Sequence, residues 1–197
     1  YNIPVIVDEA HGVHIKFHDD LPLSAMQVGA DMAATSVHKL GGSMTGSSVL
    51  NMKEGLVSAK RVQSILSMLT TTSTSYPLLA SLDTARRQLA INGHNLLDEA
   101  IRLAKDTRKR INSIPHLSCV GREKLGSSAT FDMDPTKLLI SVKDLGITGH
   151  EAEEWLRQNA NVEVELSDLY NILCIVTIAD TKKEMNLLVN ALTRLSK

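Results

Sequence analysis

The chain begins with three short apolar runs that end in polar side chains, a pattern typical of strands in an α/β fold. They predict strands over residues 3–8, 31–37 and 47–52. The first run is continuously apolar and rich in β-branched residues, which predicts a strand buried on both faces of a parallel sheet. A short helix that ends in Gly is predicted over 23–29, and the Gly-, Ser- and Thr-rich stretch 41–46 predicts a loop.

After residue 53 the apolar positions recur at helical spacing, as at Ile65, Leu66 and Leu69. The segment TTTSTSYP at 70–77 breaks this helix with hydroxyl groups and a proline. A long amphipathic helix is then predicted over 78–111. Gly93 interrupts it, and we expect a kink there.

Beyond residue 113 the apolar runs HLSCV, KLLISV and NILCIVTI again predict strands. Thr148 and Thr181 each have a Glu three positions further on, the capping-box pattern of a helix N-terminus. The fold class expected is therefore α/β, with a mostly parallel sheet and helices over 1–113, followed by a small α+β domain with an antiparallel sheet over 114–197.

Composition excludes several classes of function. The 197 residues are 43% hydrophobic and 22% charged, with a net charge of −1, so nothing points to nucleic acid or to an anionic membrane. No apolar run approaches the roughly 18–20 residues of a membrane span. The two cysteines are far apart and lack CxxC spacing, which argues against a disulfide framework or zinc and predicts a reducing cytoplasm. Because the chain starts inside a predicted strand without Met, we expect a piece of a longer protein.

The stretch VIVDEAHG places Asp8 at the end of the first predicted strand. The carboxyl ends of parallel strands are where α/β proteins bind ligands. A carboxylate that emerges from an apolar strand needs a cation, or its charged form is disfavoured. Asp8 therefore either binds a cationic ligand group or serves structurally, as a helix cap or an arginine partner.

Lys39 follows the second predicted strand within TSVHKLGG. Taken alone, such a lysine is an exposed charge at a sheet edge. Here Ser36 and His38 precede it, and Thr45 and Ser47 follow, so hydroxyl, imidazole and backbone N–H groups could bind a phosphate dianion. A lysine beside such a group can lose its proton and form a Schiff base.

The letters DEAH have a second interpretation, as the magnesium-binding motif of helicase-type ATPases. Such enzymes also need a glycine-rich loop ending in Gly-Lys-Ser/Thr. The chain has Gly41-Gly42-Ser43 without that lysine, which argues against an ATPase.

The combination VDEAHGVH, then GAD and TSVHK, resembles pyridoxal 5′-phosphate (PLP) enzymes of the aspartate-aminotransferase fold, type I. Among these it is most similar to the bacterial ornithine/lysine/arginine decarboxylases. MTGSSVLNM, TSTSYPLLASLDTAR and VEVELSDLYNILCIVTI resemble further segments of that family, so the resemblance covers nearly the whole chain. The family's upstream phosphate-binding loop and ring-stacking residue have no counterpart here.

The resemblance implies a role for each matching residue. Lys39 would hold PLP as a Schiff base and later move protons, and Asp8 would pair with the pyridine nitrogen. Ala10 would lie against one face of the ring, and His11 would sit close to the reacting carbon. The phosphate would be bound by Ser36 and His38. The resemblance also implies a homodimer or higher homo-oligomer.

Other polar residues have weaker claims. His14 lies three positions after His11, but no third ligand is evident, so no metal site is predicted. Glu165 and Asp168 are either structural acids beside a strand or anions that recognise the distal cationic group of a substrate.

The function expected is PLP-dependent decarboxylation of a basic amino acid to a polyamine precursor and CO₂, with arginine favoured over lysine and lysine over ornithine. The small-molecule amino acid would be the substrate. Two alternatives remain open: an aminotransferase or lyase of the same fold, and a catalytically silent piece that acts only in dimerisation.

Overall fold

The computed structural model describes residues 2–127 and 129–197, which form two compact units that divide between residues 94 and 95. The division falls inside a long helix rather than after it. The domain boundary expected near residue 113 therefore stays a prediction.

The first unit contains a three-stranded sheet in the order β1 (Ile6–Asp8), β2 (Met32–Ser36), β3 (Ser48–Met52). β1 pairs with β2 in parallel, as expected, whereas β2 pairs with β3 antiparallel. Parallel neighbours need a crossover of about a dozen residues or more. The connection 37–47 holds only the one-turn helix α1 (Val37–Leu40) and a short loop, so β3 returns antiparallel.

The prediction that the first strand is buried on both faces is wrong for this chain. Ile3, Val5 and Ile6 are 68%, 53% and 66% exposed. β1 is the edge strand of its sheet, and no strand within residues 2–127 and 129–197 pairs with its other side. The β-branched composition thus predicted the strand correctly, but it did not predict how much of the strand is exposed.

The helix predicted over 23–29 is replaced by hydrogen-bonded turns. Val28 N donates to Ser24 O at 3.1 Å, so one helical turn does begin. Gly29 then adopts a φ of +91°, and Ala30 N donates to Ala25 O at 3.0 Å, which closes the turn at once. The glycine stop was read correctly, but the segment is too short for a helix.

Two helices follow, α2 (Ala59–Leu69) and α3 (Tyr76–Ile111). Ser58 caps α2 by accepting from Arg61 N, and the 70–77 break is confirmed over 70–75. Pro77 stands in the first turn of α3, where a missing N–H costs nothing. α3 runs continuously through Gly93; a Cβ there would stand 3.3 Å from Cβ of Phe17, so Gly93 makes room for that side chain.

The second unit contains an antiparallel sheet, as predicted, in the order β4 (Ser118–Cys119), β5 (Lys137–Ser141), β7 (Asn171–Ile175), β6 (Leu166–Ser167). α4 (Gly149–Ala160) and α5 (Lys182–Leu195) supply helical partners for its core. Both predicted capping boxes are present, at Thr148 and Thr181. Alternate residues of β5 and β7 point into the core, which includes Leu138, Ile140, Ile172, Leu156 and Leu192.

Candidate active site

The end of β1 continues into a tight turn that carries three of the predicted site residues. Glu9 N donates to Ala34 O at 2.9 Å, which extends the β1–β2 ladder by one bond. Ala10 N then donates to Oδ1 of Asp8 at 3.0 Å, and Gly12 N donates to Glu9 O at 2.9 Å. Asp8 thus closes its own turn through one oxygen, a common use of an Asp side chain, and the turn presents Ala10 and His11.

Lys39 comes from the end of the neighbouring strand. β2 leads directly into α1, with Ser36 as the N-cap residue, and the Ser36 hydroxyl makes no capping hydrogen bond. Nζ of Lys39 lies 3.0 Å from Nε2 of His11. The structure therefore brings the lysine and the histidine of the two predicted motifs into direct contact.

The loop after α1 is held together by its own hydroxyl groups. Ring atom Nδ1 of His38 lies 2.7 Å from Ser47 O, and since a carbonyl oxygen only accepts, Nδ1 carries the proton. The Ser47 hydroxyl donates to Met44 O at 2.9 Å and accepts from Ser43 in a short hydrogen bond. Ser47 is buried, so its side chain stabilises the loop, whereas Thr45 is exposed.

An open cleft of about 370 Å³ lies at the ends of β1 and β2. It is lined by Asp8, by the larger apolar residues Ile6 and Val7, and by five residues with smaller side chains: Ala10, Ala34, Thr35, Ser36 and Ser48. Small side chains leave space for a flat aromatic ring, which large side chains at the same positions would fill. The cleft therefore offers the Asp8 carboxylate and the hydroxyl groups of Ser36 and Ser48 beside mostly small side chains.

A second cavity, of about 360 Å³, is lined by Glu9, Thr35, Val49 and Asn51 among other residues of the first unit. Successive residues of a strand point to opposite faces. Glu9 therefore lies on the face opposite Asp8, where Oε1 accepts from Ala25 N at 2.7 Å. No role was predicted for Glu9, although its position directly after Asp8 at the end of the strand indicated this face.

A glycine connects the two parts of the site. A Cβ on Gly41 would stand 2.6 Å from Val37 O and 3.2 Å from Cγ2 of Val13. Val13 follows the His11 turn, and Val37 begins α1. Gly41 therefore lets the two segments that carry His11 and Lys39 pack closely.

In the second unit, the contacts of Asp168 are those of a structural acid, one of the two alternatives given for it. Its Oδ1 accepts from Tyr170 N at 2.8 Å and from Asn171 N at 2.7 Å. These backbone hydrogen bonds hold the pKa of Asp168 below its usual value. Glu165 is exposed and its N–H donates to Leu173 O in the sheet.

Residues 2–127 and 129–197 show neither of two other kinds of feature. No group of three or more His, Cys, Asp or Glu side chains there is arranged to hold a metal ion. In the same residues, none of the helices combines the length and the apolar composition that crossing a membrane requires.

The fold around these residues is that of the type I PLP-dependent enzymes. The chain superposes on a lysine decarboxylase from Francisella novicida with a TM-score of 0.78 and 23% identity, covering 96% of this chain and 32% of that one. It superposes on an alanine–glyoxylate aminotransferase from Nostoc with a TM-score of 0.72 and 18% identity, covering 98% and 54%. At these identities the likeness shows the fold, and it confirms the expected fold class.

Within that fold the family is also shown. The profile described as Orn/Lys/Arg decarboxylase, major domain, matches residues 1–184, and the chain belongs to this family. An arginine decarboxylase of Bacillus anthracis is 68% identical over 196 residues, which is all of this chain and 40% of that protein. The chain thus spans about 40% of the length of the curated relatives it matches.

Proposed function

We propose that the full-length protein is a PLP-dependent decarboxylase of a basic amino acid, with arginine as its first substrate and lysine and ornithine after it. The observation that carries the proposal is the contact between His11 and Lys39, which stand at the ends of two adjacent strands beside Asp8. The name of the 68%-identical relative supports arginine as the substrate.

The residues present fit PLP. The cleft is lined mostly by small side chains, and Asp8 keeps one carboxylate oxygen outside the hydrogen bond with Ala10 N. In the proposed site the Asp8 carboxylate would pair with the pyridine nitrogen, and Ala10 would leave space for the ring. Ser36 and His38 would hold the phosphate, and Lys39 would hold the aldehyde group. PLP, when bound, supplies an electron sink for the carbon–carboxylate bond that breaks.

The protein's own residues orient the substrate and move one proton. Decarboxylation releases CO₂, and a proton takes its place on the α-carbon. An ammonium group donates only, so whenever Lys39 carries its third proton it donates to Nε2 of His11. The pair could therefore hold a proton close to the reacting carbon and deliver it there in place of CO₂.

Lys39→Ala tests the proposal, with Lys60→Ala on the exposed face of α2 as the matched control. Full-length wild-type protein and the control should develop a visible absorbance band with PLP that borohydride abolishes, because the cofactor is bound to an amine. Lys39→Ala should lack the band. Equal absorbance in Lys39→Ala and wild type would remove Lys39 from its role.

A substrate assay separates the alternatives. CO₂ release from arginine, lysine and ornithine is measured beside amino transfer to a 2-oxo acid. Release fastest from arginine supports the proposal, and transfer without CO₂ favours the aminotransferase. A full-length protein that does not bind PLP and is inactive in both assays would support the silent alternative, which acts only in dimerisation.

Assembly, compartment and product use are part of the same proposal. We propose a homodimer or higher homo-oligomer, which sedimentation of the full-length protein tests, with a monomer as the contrary result. Both cysteines are free thiols, which supports a reducing compartment such as the cytoplasm. Decarboxylated arginine, lysine or ornithine would be a polyamine precursor or a polyamine.

A further inference from the structure

The turn over residues 8–12, which carries Asp8, Ala10 and His11, is held from both faces of the sheet. On the cleft face, Asp8 closes the turn through Ala10 N. On the other face, Oε1 of Glu9 accepts from Ala25 N at 2.7 Å, a contact between residues 16 positions apart. Ala25 is buried, so its N–H has little access to water as a substitute acceptor.

The segment that Glu9 contacts is itself well defined. Ser24 N donates to Oε1 of Gln27 at 3.0 Å, and Gln27 N donates to the Ser24 hydroxyl, a reciprocal cap of the 24–29 turn. Ala25 and Ala30 pack with Ala33 of β2 in a small apolar cluster. Glu9 is therefore anchored to a rigid element and not to a free loop.

Gly12 shows how closely the Glu9 side chain is packed. A Cβ built on Gly12 would overlap Cγ of Glu9 and stand 3.3 Å from Cδ1 of Ile15. The Glu9 stem thus occupies the space that a side chain at position 12 would take. Its path from β1 to Ala25 runs directly beneath the turn.

We propose that Glu9 is a positioning residue that fixes Asp8, Ala10 and His11 for the proposed reaction by anchoring their turn to Ala25. The inference rests on the proposed function and names a residue that this function does not itself require. Because an acceptor oxygen is all that Ala25 N needs, the negative charge of Glu9 is dispensable. A displacement of about 1 Å in a catalytic group can cost two orders of magnitude in rate, so an anchor of this kind affects the site strongly.

The experiment compares Glu9→Ala and Glu9→Gln in the full-length protein, with Asp31→Ala as the matched control. Asp31 also accepts a backbone hydrogen bond with its carboxylate, from Val5 N at 2.8 Å, at the opposite end of β1. Two quantities are measured: amide hydrogen exchange over residues 8–12 in the cofactor-free protein, and the dissociation constant of PLP. Thermal unfolding is followed in parallel.

Glu9→Ala should speed exchange of the Ala10 and Gly12 amides and weaken PLP binding by about tenfold, since the turn loses its anchor. Glu9→Gln should restore both quantities, because its amide oxygen still accepts from Ala25 N. Asp31→Ala should lower the unfolding temperature without either change. A Glu9→Ala protein that exchanges and binds as wild type overturns the inference, and so does equal loss in Asp31→Ala or failure of Gln to rescue.

The failure of the proposed function would look different. Wild-type protein that binds no PLP would overturn the proposed function and this inference together. Wild-type protein that binds PLP through Lys39, with Glu9→Ala indistinguishable from it, would overturn the inference alone.

Discussion

Nζ of Lys39 and Nε2 of His11 lie 3.0 Å apart, although 28 positions separate the two residues in the chain. β1 and β2 are parallel neighbours, with Asp8 opposite Ala34, so their carboxyl ends meet at one edge of the sheet. His11 follows the first end by a turn, and Lys39 follows the second by the first turn of α1. The contact is thus a direct consequence of parallel pairing.

His11→Ala should slow the capture of PLP by Lys39 and lower kcat, both by about tenfold or more, because the lysine loses the group that takes up its proton. The rate at which the borohydride-sensitive absorbance appears gives the first quantity, and CO₂ release gives the second. His150→Ala, an exposed histidine of the second unit, is the control and should leave both rates unchanged. Unaltered rates in His11→Ala would contradict a role for the contact.

Gly41→Ala should destabilise the first unit by about 1–3 kcal/mol and weaken PLP binding, because the new methyl would enter space held by Val37 and Val13. Thermal unfolding and PLP titration measure the two effects. Gly42→Ala is the comparison: its φ is +85° and nothing lies near its Cβ position. It should therefore show a backbone cost alone, and equal loss of PLP affinity in both variants would contradict close packing at Gly41 as the cause.

The strands and the two capping boxes were accessible from sequence because each depends on a local pattern, whereas the contact between His11 and Lys39 depends on the pairing of β1 with β2. Strand period, the Thr-x-x-Glu spacing and the polar residues after each strand all act within a few positions. The resemblance to decarboxylases then assigned chemistry to Asp8 and Lys39. Their individual roles remain predictions.

The features that could not be predicted from the sequence depend on contacts between segments that are distant in the chain. The exposure of Ile6 depends on which strands pair beside β1. The bond between Glu9 and Ala25 joins a strand end to a turn 16 residues later, and no local pattern marks it. The Ser24-x-x-Gln27 spacing, by contrast, is a capping signal that can be read from the sequence.

Acid should weaken the helix caps of the second unit. Hydrogen bonds from Thr181 hold the pKa of Glu184 below its usual value, and those from Thr148 do the same for Glu151. A folded-state pKa below the unfolded one means that the stabilisation is present above about pH 4.5, the unfolded value, and is lost as pH falls through the folded one. Glu184→Gln should therefore flatten the fall of unfolding temperature with acid.

Thr181→Ala should flatten the same dependence, since it removes the hydroxyl that donates to Glu184. The double variant Thr181→Ala/Glu184→Gln should flatten the dependence little further, because both substitutions remove the same interaction. Circular dichroism melts between neutral and acid pH give the comparison. A Glu184→Gln protein with the slope of wild type would show that this carboxylate does not contribute to acid unfolding.

The two cysteines should be inert in the folded protein and reactive after unfolding. Burial raises the pKa of the Cys119 thiol to about 11 and that of Cys174 to about 12, against a usual value of 9.0. The thiolate is the reactive form, so at pH 8 iodoacetamide should label the folded protein far more slowly than the urea-unfolded protein.

The same shifts predict an alkaline loss of stability. The unfolded thiols release their protons near pH 9.0, whereas the folded thiols keep theirs until about pH 11 or 12. Stability contributed by these thiols is therefore complete below pH 9 and declines as pH rises above it. Cys174→Ala, whose side chain does not titrate, should reduce that decline. Native-state labelling at the unfolded rate, or an unchanged decline in Cys174→Ala, would contradict burial of the protonated thiol as the cause.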